Sequence, residues 1–152
     1  MITLPRHSLT AAVLSIFVFS TGCGGPSKGT PVSGKVVLPK DIKLQKDDSI
    51  SITFVPDGGD VKRAATSKFN ADDLSFVADT SETTGVLPGK YKITVSIAPY
   101  PGTTGSDARV RQFNDGINNE FNESRTKLSY EVTAGGPNTI TIDLAKGTVT
   151  KN

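Results

Sequence analysis

Residues 90–97, KYKITVSI, alternate polar and apolar side chains without a break. A period of two places Tyr91, Ile93, Val95 and Ile97 on one side of an extended chain and Lys90, Lys92, Thr94 and Ser96 on the other, whereas a helix would scatter both sets around its axis. The stretch is therefore a strand with one dry face and one wet face, and such strands need a second apolar layer to cover the dry side. The same alternation recurs in both directions. Upstream, in SISITFV, Ile50, Ile52 and Phe54 oppose Ser49, Ser51 and Thr53; downstream, Leu128, Tyr130 and Val132 oppose Lys127, Ser129 and Glu131, and Ile140, Ile142 and Leu144 oppose Thr139, Thr141 and Asp143.

Shorter runs at 31–38 (PVSGKVVL), 64–69 (AATSKF) and 74–79 (LSFVAD) bring the expected number of strands to about seven, a count that suits a sandwich. Turn-forming clusters separate them: Pro56 to Asp60, Asn70 to Asp73, Leu87-Pro88-Gly89 and Ala134 to Asn138. Gly135-Gly136 between the last two patterned runs predicts a hairpin there. The expected fold is all-β, an immunoglobulin-like or transthyretin-like antiparallel sandwich over residues 30–146, with a C-terminal tail at 147–152. Tyr91, just after the Pro88-Gly89 corner, reads as a tyrosine corner whose ring fills the core while its hydroxyl bonds nearby backbone. Tyr130 likewise reads as structural.

Ahead of the patterned region, Arg6 precedes the apolar run Leu9 to Phe19, and small residues follow it. A run of eleven residues is too short for a spanning helix, which needs roughly 20, but suits the apolar core of an export signal. The stretch Ser20-Thr21-Gly22-Cys23 resembles the lipobox of bacterial lipoproteins, with Cys23 as acyl acceptor and cleavage between Gly22 and Cys23; Ser20 stands where that family prefers Leu. Residues 1–22 are thus expected to be a lipoprotein signal peptide and 23–29 a Gly/Pro/Ser tether, so that the domain works close to a membrane held by N-terminal lipid. Gly24 lacks the carboxylate associated with inner-membrane retention, which favours the outer membrane in a two-membrane cell.

Removal of the leader also removes His7, the chain's one histidine, and commits its one cysteine; tryptophan is absent. Histidine-dependent triads, Cys-His dyads, His or Cys zinc sites and internal disulfides drop out by inventory. Aspartates 57, 60, 72, 73 and 79 follow no EF-hand spacing and read as turn formers, so neither metal nor cofactor is expected. Losing Arg6 leaves 16 basic against 15 acidic residues, no footprint for nucleic acid.

At this point the order of motifs resembles bacterial lipoproteins with a carboxypeptidase-regulatory-like domain. Val32, Gly34 and Val36 match the opening V-x-G-x-V strand, Phe54 and Pro56 an F-x-P strand end, and Gly85, Pro88, Gly89, Tyr91, Ile93 and Val95 the G-x-x-P-G-x-Y-x-V-x-V element. Asp72-Asp73-Leu74 departs from the usual D-G-x-F turn by lacking its glycine. The resemblance implies a non-catalytic accessory or interaction domain of the cell envelope; the alternative is a carbohydrate or small-ligand binding module. An enzyme of another type would have to work with carboxylate, lysine, serine or tyrosine chemistry, and no motif groups those residues.

Residues 98–125 break the strand pattern. Val110, Phe113, Ile117 and Phe121 fall at helical spacing, which predicts a helical turn capping one end of the sandwich. Loops of this length are where binding surfaces concentrate, and Tyr100, Arg109, Arg111 and Gln112 are the candidate exposed contacts, with envelope proteins or glycans as expected partners.

Overall fold

The computed structural model describes residues 29–152 apart from 62, 81–84 and 102–104. Eight strands follow in chain order: β1 (Val32–Val37), β2 (Ser49–Pro56), β3 (Ala65–Asn70), β4 (Ser75–Asp79), β5 (Gly89–Ala98), β6 (Ser129–Val132), β7 (Asn138–Asp143) and β8 (Thr148–Lys151). Two helices, α1 (Ser106–Asp115) and α2 (Ile117–Glu120), lie between β5 and β6. The fold is all-β, and the alternating residues point as their period requires. Ile52, Phe54 and Ile93 are fully buried, while Ser49, Ser51 and Lys90 on the opposite faces are exposed.

All eight strands belong to one sheet ordered β6-β5-β2-β3-β4-β1-β7-β8. The sheet curls over on itself at β3. That strand meets β2 only at Ala65 and Thr66, then pairs with β4 from Thr66 to Asn70. The two halves thereby close on one core, in which the Phe54 ring lies 6.3 Å from Phe76 and 6.1 Å, edge-on, from Tyr91.

Three expectations are corrected. The sheet is mixed rather than antiparallel, because β1 runs between β4 and β7 and pairs in parallel with β7 from Val32↔Asn138 to Val37↔Asp143. Strands β6 and β7 do not form a hairpin: β6 pairs with β5 and β7 with β1, so residues 133–137 carry the chain from one half of the sheet to the other. The buried Asn138 side chain holds this arch closed, accepting from the Thr133 N–H (3.1 Å) and donating to the carbonyls of Thr133 (3.0 Å) and Gly136 (3.1 Å), while the Tyr130 hydroxyl donates to its Oδ1 (3.0 Å). Residues 148–151 are no tail but β8, returned by a turn in which Gly147 takes φ 64° and Asp143 Oδ1 accepts the Lys146 N–H at 3.0 Å. The β-branched run Thr148-Val149-Thr150 is short but suited to pairing, and β7 offers an open edge.

Gly34 of the V-x-G-x-V strand has a packing reason. A Cβ there would run into the Ile140 carbonyl and stand 3.0 Å from the Phe76 ring. The glycine-free turn keeps its geometry by another route: Leu74 itself takes φ 56°, Asn70 Oδ1 accepts the Asp72 N–H and Asp73 Oδ1 the Ser75 N–H, each at 3.0 Å. Tyr91 is a tyrosine corner in fact, its buried hydroxyl donating to the Leu87 carbonyl at 2.7 Å, and burial pushes that phenol above its ordinary pKa.

Candidate functional site

The segment between β5 and β6 is built from helix-spaced apolar residues. Phe113, Ile117 and Phe121 enter the core, whereas Val110 stays 39% exposed. The segment also seals an edge. Beyond the stretch paired with β6, the outer edge of β5 meets carbonyls and side chains in place of a strand: the Ile93 N–H donates to the Leu128 carbonyl (2.9 Å), the Thr126 hydroxyl to the Ile93 carbonyl (2.7 Å) and the Val95 N–H to the Phe121 carbonyl (3.1 Å). Asn118 then imitates a peptide unit. Its Oδ1 accepts the Ile97 N–H at 2.7 Å and its Nδ2 donates to the Ile97 carbonyl at 3.0 Å. A bare edge would invite strand addition, and this one is closed by side-chain chemistry.

At the same end of the sheet, Arg109 of α1 reaches across to the loop before β2. Its guanidinium grips both oxygens of Asp48: Nη1 donates to Oδ1 at 3.0 Å, and Nη2 pairs with Oδ2. Nη1 also donates to Gln45 Oε1 (2.9 Å) and Nη2 to the Lys43 carbonyl (3.3 Å). Asp48 accepts two backbone N–H groups besides, from Gln45 at 2.6 Å and Tyr100 at 3.2 Å, and its side chain is fully enclosed. The guanidinium carbon lies 5.2 Å from the centroid of the Phe113 ring, a cation–π contact on the core side. Burial by itself would raise the Asp48 carboxyl, but the hydrogen bonds from Arg109, Gln45 and Tyr100, with the guanidinium charge, outweigh it and hold the carboxyl below the usual aspartate value. The hydrogen bond to Asp48, with the carboxylate charge, in turn raises Arg109.

Arg109 is therefore not an exposed contact, which corrects its selection as one: only 13% of its side chain is accessible. Helical geometry explains the difference. Position 109 shares the inward face with Phe113, four residues on, whereas Arg111 is turned about 200° away and stays exposed together with Gln112. Tyr100 is 53% exposed. The four candidates thus divide into one structural clamp and three surface side chains. The sequence carries no periodic signal for Asp48, because its partner lies 61 residues away. Cys23 and Gly22 lie outside the described residues.

Among the concavities bordered by described residues, two lie at opposite ends of the domain. Near the helices, a cleft of about 470 Å³ is bordered by Asp115, Asn119, Glu120, Arg125, Lys127 and Lys146, with Phe121 at its floor. It mixes both signs of charge, and Lys146 is committed to Asp143 at 3.0 Å, which lowers that carboxyl. At the other end, where the described chain begins, a concavity of about 620 Å³ is lined, among the described residues, by glycine, proline, alanine and threonine. Among the described residues no three His, Cys, Asp or Glu side chains converge as metal ligands would. No protein-family model, curated protein or solved structure matches the chain.

Proposed function

We propose that the protein is an extracytoplasmic lipoprotein, acylated at Cys23 after cleavage at Gly22 and anchored by its lipid to a membrane, the outer one in a two-membrane cell, whose β domain is a non-catalytic carboxypeptidase-regulatory-like, transthyretin-like module serving envelope organisation or protein interaction. The observation that carries this reading is the lone cysteine set among small residues at the end of an apolar run too short to span, with only six residues between it and the paired Thr30. A scaffold role is supported by three polar side chains that are consumed internally: Arg109 by Asp48, Asn118 by β5 and Asn138 by the arch between β6 and β7.

A second reading, a carbohydrate or small polar ligand module, is favoured by the cleft beside α2, where carboxylates and cationic side chains border one hollow. Detergent phase partitioning with intact N-terminal mass, on the wild type and Cys23→Ser expressed in a bacterium, tests the anchor. Acylated wild type in the detergent phase and aqueous Cys23→Ser are expected. An unmodified wild type that stays aqueous would remove the anchor.

A further inference from the structure

We propose that the end of the domain at which the N-terminal segment enters is a docking rim that rests on the lipid headgroup layer. The proposal deepens the lipid-anchor reading and rests on it. Thr30 is fixed there, donating its N–H to the Val86 carbonyl at 2.7 Å and accepting the Val86 N–H at 2.9 Å. The approach is close because residue 85 is a glycine: a Cβ on Gly85, whose φ is 94°, would stand 2.6 Å from the Thr30 carbonyl oxygen. The entry point is therefore built into the fold.

Six residue steps separate Cys23 from Gly29, a reach of at most about 20 Å when fully extended. An acylated Cys23 sits at the bilayer surface, so the entry end cannot stand far from it. Around that entry lies the concavity lined by Gly29, Pro31, Pro88, Ala134, Gly135 and Pro137, with no charged side chain among the described lining residues. Contact of these described residues with the headgroup layer costs no charge desolvation. The occupant is the bilayer surface because the chain leading to the acylated residue leaves from this hollow.

Orientation follows from β5, whose ten residues run from Gly89 at the rim to Ala98 at the helices, a rise of about 30 Å over about nine steps. Docking at the rim points α1, Tyr100, Arg111 and the charged cleft away from the membrane, where soluble or wall-bound partners reach them.

The test uses full-length protein purified from bacterial membranes and reconstituted into phosphatidylethanolamine/phosphatidylglycerol vesicles containing headgroup-spin-labelled lipid. Acylation consumes the thiol of the one native cysteine, so Ala134→Cys and Arg111→Cys each take a fluorophore at a single site; both positions are exposed. Each variant is also made with roughly twenty Gly/Ser residues inserted after Lys28, adding a mean reach of about 25 Å. Loss of most of the fluorescence at position 134 with either tether, and none at 111, is expected. Acylated protein in which position 134 escapes quenching, is quenched no more than 111, or loses its quenching with the longer tether overturns docking while the anchor reading stands. An N-terminal mass without acyl chains overturns the anchor reading, and the docking proposal falls with it.

Discussion

Replacing Arg109 with Met removes the guanidinium, and with it the ion pair, the bonds to Gln45 and Lys43 and the cation–π contact, while keeping an apolar stem over Phe113. Asp48 is left fully enclosed with two backbone N–H groups and no countercharge. Breaking a buried pair from one side costs about 3–5 kcal/mol, and the 13% exposure of the Arg109 side chain places this site near the lower end, at about 3 kcal/mol. With a urea slope of about 1.5–2 kcal/mol/M, the unfolding midpoint falls by about 1.5–2 M. The pH dependence carries the sign. The Asp48 carboxyl is depressed in the folded protein, so its contribution is fully present above the unfolded aspartate value, about 3.9, and is lost as pH falls through the lower folded value. The difference between wild type and Arg109→Met should therefore be full at pH 7 and shrink under acid. Urea unfolding of both forms, in a Cys23→Ser background at pH 7 and through the acid range, measures it. A loss below about 0.5 kcal/mol at pH 7 would place the pair with exposed ion pairs and refute the clamp.

Four further outcomes follow from single side chains. Asn138→Ala leaves the arch between β6 and β7 without its internal partners and should cost about 3 kcal/mol in the same assay; a loss near zero would show that the backbone holds the arch unaided. Asn118→Leu strips Ile97 of both edge hydrogen bonds and should cost about 2–3 kcal/mol, with faster amide exchange at Ile97 as the local readout. Leu74→Gly relieves the left-handed backbone and should raise stability by about 0.5–1 kcal/mol, seen as a higher melting temperature; a fall would mean that the half-buried Leu74 side chain matters more than its φ. Ser67 Oγ is buried without a hydrogen-bond partner, so Ser67→Ala should stabilise by about 1 kcal/mol in thermal melts.

The alternation in KYKITVSI, SISITFV and NTITID determined by itself which segments extend and which side chains enter the core, because a period of two in hydrophobicity is a local property of the chain. Helical spacing likewise located the apolar residues of the long connection, and the Pro88-Gly89 corner the tyrosine corner, whose hydroxyl finds its acceptor four residues back. Alternation assigns a face to each residue but no neighbour to each strand. The parallel pairing of β1 with β7, the fold of the sheet at β3 and the separation of β6 from β7 were therefore decided only when the sheet curled and its apolar face closed on one core. Polar residues followed the same division. Asp73 does its work within its own turn and was readable as a turn former, whereas Arg109 looks like a surface cation until the fold brings Asp48 to it, and Asn118 looks like loop filler until Ile97 lies beside its amide. A hydrogen bond or ion pair between distant residues leaves no period in the sequence; it exists only once the core has brought the two segments together.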